Sequence, residues 1–319
     1  MALLEIERLR LVFPGGGGRE AVALDGIDVR VDCGRTLGIV GESGCGKSML
    51  ALAIMRLVPP PGRIAGGSVR FAGTELLALP EREMRAYRGA RIAMVFQEPS
   101  TALNPVLTVG SQVAEVIRLH RRVSRREAWE RAVALLAEVG IPEPRRRASS
   151  YPHQLSGGMR QRIVIAMAIA CEPALLIADE PTTALDVTIQ AEILQLLRTL
   201  QERHGMAMIL ISHDLGIVAE EADEVAIMYA GRIVERAAVA SLFAWPRHPY
   251  TEGLLRSMPV LGRLRDRLEA IPGQVPALTA RPSGCAFRDR CALAEARCAE
   301  QSPPLVESAA GHWVACVRR

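Results

Sequence analysis

The chain has 319 residues, of which 49% are hydrophobic and 23% charged, and its formal net charge is +4. This length suits about two domains, and the apolar content is enough for a large buried core. So small a charge gives no argument for a nucleic-acid partner.

Neither a signal peptide nor a membrane-spanning segment is predicted. Met1 is followed by a strand-like segment that contains Glu5 and Glu7. The longest apolar run, residues 163–178, is interrupted by Glu172 and falls short of the ~18–20 residues that cross a bilayer. We therefore expect a cytosolic chain that reaches a membrane only through partners. Its seven cysteines should be reduced rather than paired in disulfides.

Apolar runs between turn residues predict strands, and apolar positions at helical spacing predict helices. The predicted strands are 3–13, 22–31, 36–40, 68–73 with its turn, 91–96, 175–178, 208–211, 225–229 and 232–234. The predicted helices are 49–55, 109–120, 127–139 and 187–204. The order of strand, helix and strand over 175–211 predicts a βαβ unit in a mostly parallel sheet. The composition changes after about Tyr250, where we place a domain boundary.

Residues 41–48 fit the phosphate-binding pattern G-x-x-x-x-G-K-[ST] at every fixed position. A predicted strand precedes them and a predicted helix follows, so the glycines can turn successive N–H groups toward an anion at the helix N-terminus. Lys47 should reach the β- and γ-phosphates of ATP, and Ser48 should bind Mg²⁺. The predicted nucleotide-binding residues of this loop are Gly41, Glu42, Ser43, Gly44, Cys45, Gly46, Lys47, Ser48 and Met49.

Two carboxylates, Asp179 and Glu180, end the apolar strand at 175–178. An acid at the carboxyl end of such a strand lies at the ligand-binding edge of an α/β sheet, so Asp179 is predicted to bind Mg²⁺. Glu180 should point the other way along the strand and act as the general base for an attacking water. Either residue taken alone would more often be a strand cap or helix cap.

Further motifs resemble the ATP-binding subunits of ABC transporters over about residues 3–255. Residues 155–159, Leu-Ser-Gly-Gly-Met, are similar to the family signature, and Gln97 follows a strand as in the family's Q-loop. Residues 183–186 resemble the D-loop, with Thr183 where serine is commoner. His213 resembles the switch histidine, and Phe13 stands where an aromatic ring stacks on adenine.

This resemblance implies a phosphate-loop ABC ATPase domain over residues 1–255. Its parts would be a mostly parallel α/β sheet core, an antiparallel β subdomain and a helical signature subdomain at about 98–170. A small cysteine-containing C-terminal extension would occupy residues 256–319. The resemblance implies catalytic roles for Glu180, His213 and Gln97. It implies Mg²⁺ ligation by Ser48, Gln97 and Asp179, and nucleotide contacts from Phe13, Asp186, Ser156, Gly157 and Gly158. The last three would face ATP held by an opposing subunit, although a serine before two glycines is by itself an ordinary helix cap.

Four stretches, at 96–105, 151–154, 159–162 and 248–251, resemble oligopeptide, dipeptide and nickel importers. They imply an ATPase subunit that energises import of oligopeptides or dipeptides. A nickel or opine importer is an alternative. A soluble ABC ATPase is a weaker one, because the chain has a single phosphate loop and no sustained heptad repeat.

The partners implied are two multi-span membrane permease subunits, one of which docks a short helix on the segment after Gln97. A second ABC ATPase subunit would complete the assembly, with a heterodimer favoured over a homodimer. An extracytoplasmic solute-binding protein would act indirectly, and no nucleic acid is expected. The resemblance therefore implies a peripheral protein on the cytoplasmic face of the membrane.

Four cysteines near the C-terminus, Cys285, Cys291, Cys298 and Cys316, suggest a metal site. Structural zinc usually shows tight C-x2–4-C pairs, which are missing here. Residues 284–291 resemble the C-terminal extension of peptide-importer ATPases, some of which carry a four-iron cluster. The resemblance thus favours a 4Fe–4S cluster, with zinc and free buried thiols as alternatives.

Cys45 occupies a variable position of the phosphate loop. We expect its thiol to be reachable and its thiolate to be favoured by the helix N-terminus. The alternative is an unreactive, serine-like spacer.

Overall fold

The computed structural model describes residues 2–16, 20–183, 185–258 and 270–318. The strands in these ranges are β1 Ala2–Pro14, β2 Glu20–Asp32, β3 Thr36–Val40, β4 Arg63–Phe71, β5 Thr74–Glu75, β6 Ile92–Val95, β7 Leu175–Asp179, β8 Ala207–Ser212, β9 Glu224–Tyr229, β10 Arg232–Ala238, β11 Val306–Ala309 and β12 His312–Val314. The α-helices are α1 Lys47–Ile54, α2 Glu81–Tyr87, α3 Pro99–Ala102, α4 Val109–His120, α5 Arg125–Glu138, α6 Pro144–Arg147, α7 Gly157–Ile169, α8 Val187–His204, α9 Leu215–Glu221, α10 Val239–Ala244, α11 Pro249–Ser257 and α12 Arg297–Glu300. Single turns of 3₁₀-helix lie at Pro152–Gln154 and Arg288–Arg290.

Every strand and helix predicted from apolar patterning is present. The bounds of α4 and α8 match the predictions to the residue. The strands predicted at 225–229 and 232–234 form a hairpin, because β9 and β10 pair antiparallel with Tyr229 opposite Arg232. Apolar periodicity therefore located the elements well, as long and strongly patterned segments allow.

The described residues form two compact units. The phosphate-loop unit comprises Ala2–Val31, Thr36–Leu77 and Leu210–Arg319, and the signature unit comprises Asp32–Arg35 and Ala78–Ile209. The residues of β8 are divided between them.

The phosphate-loop unit contains an antiparallel sheet in the order β2-β1-β4-β5, with Ile6 opposite Val69. A second set of strands runs in the order β11-β12-β10-β9-β3. Strands β3 and β9 pair in parallel, and all five residues of β3 are buried, as is usual for a strand covered on both faces. A Cβ at Gly38 would lie 2.2 Å from Val218 Cγ1, so glycine at this position lets α9 pack directly against β3.

The C-terminal residues contribute β11 and β12 to the set of strands that contains β3. Strand β12 pairs antiparallel with β10, with Trp313 opposite Arg236, and β11 pairs with β12. The residues on both sides of the expected boundary after 255 thus belong to one compact unit. The division into 1–255 and 256–319 stays a prediction.

The signature unit pairs β6 with β7 in parallel, with Met94 opposite Ile177. Helices α4 and α5 of this unit pack against each other, and their residues Val113, Ile117 and Leu136 are buried. Helix α8 begins at the cap Asp186, whose Oδ1 accepts from the Ile189 N–H at 2.9 Å, and ends before Gly205 at φ +62°. Among the described helices, none combines the length and apolarity needed to span a membrane.

Candidate nucleotide-binding and catalytic residues

The phosphate loop connects the end of β3 to the start of α1. Gly46 caps α1 with a φ of +107°, which is a conformation that suits glycine. A Cβ at Gly41 would lie only 2.2 Å from the Met228 carbonyl oxygen, so no larger residue fits there. The loop is therefore a tight backbone turn that leads into a helix N-terminus, which is the arrangement that binds phosphate.

Lys47 lies inside this turn and is 5% exposed. Its ammonium donates to the carbonyl oxygens of Gly41 at 2.7 Å and Glu42 at 3.1 Å. The lysine thus brings a positive charge to the loop, as a phosphate-binding role requires.

The prediction that Cys45 is reachable and thiolate-prone is wrong. Its side chain is 1% exposed, and a Cβ at Gly41 would lie 2.7 Å from its Sγ. Burial raises the pKa of the Cys45 thiol, although Lys47 acts in the opposite direction. Desolvation at this site therefore outweighs both the lysine and the helix N-terminus, and the helix N-terminus was the basis of the prediction.

Glu42 has two contacts that sequence reasoning missed. Its main-chain N–H donates to Tyr250 Oη at 3.0 Å, and its carboxylate pairs with Arg290 at 2.6 Å. Both partners lie in stretches that the sequence analysis marked only as family resemblances, at 248–251 and 284–291. No sequence motif predicts that Tyr250 or Arg290 lies beside the phosphate loop.

Glu180 is the centre of a small hydrogen-bonded group in the signature unit. Its Oε2 accepts from Gln97 Nε2 at 3.0 Å and from Thr183 Oγ1 at 2.9 Å. Strand β7 ends at Asp179, and Glu180 has a φ of +46°. The prediction that strand alternation orients Glu180 is therefore wrong, because the residue has already left the strand in a left-handed conformation. Asp179, the last strand residue, is 4% exposed.

The signature and D-loop residues lie at the N-termini of two helices. Ser156 caps α7, with its Oγ accepting from the Met159 N–H at 3.3 Å, and both Ser156 and Gly157 are exposed. The helix thus begins at Gly157. Asp186 caps α8 in the same way. Of the D-loop, residue 184 lies outside the described residues.

His213 and Phe13 both lie in the phosphate-loop unit. His213 is exposed and directly follows β8, before Asp214 caps α9. Phe13 is half-buried, and a Cβ at Gly62 would lie 2.5 Å from its Cε1 atom, so the ring packs against that glycine.

The structure thus brings Gln97, Thr183 and Glu180 together in the signature unit. It brings the phosphate loop, Tyr250 and Arg290 together in the phosphate-loop unit. All residues named in each group belong to a single unit.

The four C-terminal cysteines line one small cavity together with Phe287 and Leu293. The Cys285 N–H donates to the Cys298 carbonyl oxygen at 2.8 Å. Burial raises the pKa of the Cys285 thiol, and the other three cysteines raise it further. No group of three or more His, Cys, Asp or Glu side chains in the described ranges is arranged to hold a metal ion.

Comparison with known proteins assigns the family. Residues 24–183 match the family described as ABC transporter, and residues 234–298 match the family described as oligopeptide/dipeptide transporter, C-terminal region. Two solved structures share the fold. One is a dimeric ATP-binding cassette bound to ADP and phosphate, at 28% identity and a TM-score of 0.66, covering 74% of this chain and 98% of the other. The second is cbiO1 from Clostridium perfringens, at 27% identity and a TM-score of 0.64, covering 76% and 91%.

Curated relatives resemble the chain over almost its whole length. A putative peptide import ATP-binding protein of Brucella abortus is 53% identical and covers 99% of this chain and 97% of the relative. The oligopeptide transport ATP-binding protein OppD of Bacillus subtilis is 51% identical over 98% and 87%. The dipeptide transport ATP-binding protein DppD of Escherichia coli is 48% identical over 99% and 96%.

The fold and the phosphate loop define an ATP-hydrolysing enzyme of the ATP-binding cassette class. The chain belongs to the ABC transporter family, as the resemblance implied.

Proposed function

We propose that this ATPase energises an importer of oligopeptides or dipeptides across the cytoplasmic membrane. The observation that carries the proposal is the match of residues 234–298 to the oligopeptide/dipeptide transporter C-terminal region. Relatives named for peptide, oligopeptide and dipeptide transport support it, because they cover nearly the whole chain at 48–53% identity. Nickel or opine import is the alternative within transport.

The enzyme should be tested in lipid nanodiscs with its own permease subunits and solute-binding protein. We expect dipeptides or oligopeptides to stimulate ATP hydrolysis several-fold, and Ni²⁺ or opines to leave it unchanged. Stimulation by nickel alone would replace the peptide assignment. A chain that hydrolyses ATP without copurifying any membrane subunit would point to the soluble alternative.

Partner binding is proposed on two exposed surfaces of the signature unit. Near Gln97, the side chains of Phe96, Val106 and Leu107 are large, apolar and exposed, which suits a permease helix docking beside the Q-loop. Beside the cap Asp186, Val187 is 83% exposed, which suits a second ATPase subunit. The family motifs favour a heterodimer, and a homodimer would use the same residues. The protein would then lie peripherally on the cytoplasmic face of the membrane, with no nucleic-acid partner.

The signature is proposed to act on nucleotide held by the opposing subunit. Ser156 and Gly157 are exposed at the start of α7, so their N–H groups can reach an external anion. Closure of two such subunits around ATP, followed by hydrolysis and release, would switch the permease between its two orientations.

Within the ATPase, we assign Lys47 to the phosphates and Glu180 to the attacking water. Gln97 and Thr183 hold the Glu180 carboxylate in one orientation. We further assign His213 to the γ-phosphate, as in the family motif. The remaining nucleotide contacts are those predicted for Phe13, the phosphate loop and Asp186.

Mg²⁺ is proposed as the resident cation. The Ser48 hydroxyl, the Gln97 amide oxygen and the Asp179 carboxylate are oxygen donors of the type Mg²⁺ prefers. When bound, Mg²⁺ would neutralise charge on the β- and γ-phosphates of ATP.

A cysteine-bound 4Fe–4S cluster is proposed for the C-terminal residues. Four thiols that line one cavity are the type of donor that holds a cluster, with zinc as the alternative, although in the described ranges no three of them are already arranged to hold a metal ion. Successive turns, from the Arg288 N–H to the Cys285 carbonyl at 3.2 Å and from the Cys291 N–H to the Arg288 carbonyl at 3.2 Å, fold the chain back between two of them.

Anaerobically purified protein should then be brown, absorb broadly near ~400 nm and contain about four irons per chain. Cys291→Ser should bleach it, whereas Cys33→Ser, at an exposed cysteine outside the cavity, should not. Colourless anaerobic protein with one stoichiometric zinc would replace the cluster, and protein with neither metal would leave four free thiols.

A further inference from the structure

The C-terminal residues reach the phosphate loop through one buried arginine. Arg290 Nη1 lies 2.6 Å from Glu42 Oε2, and Arg290 Nη2 lies 2.9 Å from Glu42 Oε1. This is a bidentate pair in which two parallel donors meet two acceptors, and the Arg290 side chain is only 6% exposed. The pair joins positions 42 and 290, both within the phosphate-loop unit.

Arg290 is held in place by groups other than Glu42. Its Nε donates to the Pro272 carbonyl oxygen at 2.8 Å. Its guanidinium carbon lies 5.7 Å from the centre of the Tyr229 ring and 5.9 Å from that of Phe287. A guanidinium fixed by a carbonyl and two rings loses little freedom when it binds a carboxylate.

Glu42 is fixed from the opposite direction by its main chain. Its N–H donates to Tyr250 Oη at 3.0 Å, and Tyr250 is fully buried, with its ring centre 4.7 Å from that of Tyr229. The Glu42 carbonyl oxygen accepts from Lys47 Nζ at 3.1 Å. Glu42, the first variable residue of the phosphate loop, is therefore held by contacts at its main-chain N–H, its carbonyl oxygen and its carboxylate.

This arrangement bears on ATP binding because Glu42 brings a negative charge to a loop that must accept phosphates. An unpaired carboxylate on this loop would repel phosphates bound there, and its partial burial would strengthen the repulsion. The guanidinium of Arg290 cancels that charge and draws the carboxylate toward the cluster of Tyr229 and Phe287.

We propose that Arg290 is a positioning residue for ATP binding, which neutralises Glu42 and holds the phosphate loop in its binding conformation. Arg290 does not touch the nucleotide in this proposal and acts only through Glu42. The C-terminal residues would thereby tune the nucleotide affinity of the ATPase.

The test is a double-mutant cycle on the full chain, read out as the Kd for ATP by equilibrium binding and as the split between KM and kcat. Arg290→Gln should raise the Kd and KM about tenfold with kcat little changed, because an unpaired charge beside the phosphates repels them. Combining it with Glu42→Gln should recover most of the affinity, because the repelling carboxylate is then gone. Arg290→Lys keeps the charge and most of the volume but not the bidentate contact, so it should give a smaller loss.

A matched control is Arg297→Gln in the same C-terminal region, where Arg297 pairs with Glu295 on the surface and is 59% exposed. It should leave the Kd unchanged. The penalty of Arg290→Gln should also shrink at high salt, as an electrostatic effect does. Unchanged affinity in Arg290→Gln, or a double variant that binds ATP as weakly as Arg290→Gln alone, would overturn the proposal. If Arg290→Gln does not fold, Arg290→Lys with and without Glu42→Gln gives the same comparison.

Discussion

Gln97 donates a hydrogen bond from its side-chain amide to the Glu180 carboxylate, with 3.0 Å between Nε2 and Oε2. Thr183 donates to the same oxygen at 2.9 Å. The predicted base is thus oriented by the predicted Q-loop residue and by the first residue of the D-loop. A displacement of either loop would therefore move the Glu180 carboxylate.

Glu180→Gln should keep ATP binding and lower turnover by about 10²–10⁴-fold, because the amide cannot accept the proton from water. ATPase assays and nucleotide-binding measurements on the same preparation would show this. Glu202→Gln on the exposed face of α8 is the control. Near-normal turnover in the Glu180 variant would move the base elsewhere.

Lys47→Ala should weaken ATP binding at least tenfold, since it removes the positive charge from the phosphate loop and leaves the Gly41 and Glu42 carbonyl oxygens without this donor. Equilibrium binding measures the loss. Arg70→Ala, at a partly exposed ion pair with Glu7, serves as the control and should bind ATP normally. Tight binding by the Lys47 variant would contradict our assignment of the loop.

Cys45 should resist alkylation in the folded protein. Its thiol is buried, and burial raises its pKa, so at pH 7 it is protonated and out of contact with the reagent. Mass spectrometry after brief treatment with iodoacetamide should find Cys33, which is exposed, labelled and Cys45 unlabelled. Unfolding should expose both. Rapid labelling of native Cys45, blocked by ATP, would restore the original expectation of a reactive thiol.

Asp25 should stabilise the protein most strongly above pH 4. Its Oδ2 accepts from Arg232 at 2.6 Å and from Arg281 at 2.8 Å. Burial alone would raise the pKa of Asp25, but these two arginines outweigh it and hold the pKa below the ordinary value of an aspartate. A lowered carboxylate pKa means that the stabilisation is present above the unfolded value and is lost as the pH falls through the folded one.

Asp25→Asn should therefore lower the free energy of unfolding at pH 7 by about 1–3 kcal/mol. The difference from the parent should shrink as the pH falls below the ordinary pKa of an aspartate, as thermal unfolding at pH 7 and pH 3 would show. Asp289→Asn, at an exposed aspartate that pairs with Arg288, should leave the stability unchanged at both pH 7 and pH 3. A deficit that persists unchanged at pH 3 would argue against the charge pairing.

His312 should anchor β12 to β10. His312 Nε2 lies 2.7 Å from Glu235 Oε1, and Glu235 is fully buried while also accepting from the Arg247 and His248 N–H groups. His312→Ala should cost roughly 2–4 kcal/mol, because it leaves a buried carboxylate short of one partner. Denaturant unfolding would measure this, with the exposed Glu300→Gln as control. A loss under ~0.5 kcal/mol, the range of ordinary surface substitutions, would show that β12 docks without this contact.

The sequence by itself determined the elements and the main motifs. Buried strands such as β3 and amphipathic helices such as α4 follow from local apolar patterns, and the phosphate loop follows from glycine spacing next to a helix. These features depend on neighbouring residues only, so they can be recognised without knowing which distant segments meet.

Tertiary structure decided what lies around those motifs. The Arg290–Glu42 and His312–Glu235 pairs join residues far apart in the chain, and no local pattern connects them. The state of Cys45 depends on its burial in the folded chain. The direction of Glu180 depends on where β7 ends, which strand alternation could not foresee. Burial and long-range pairing arise only when the chain folds, because they depend on which distant groups exclude water from one another.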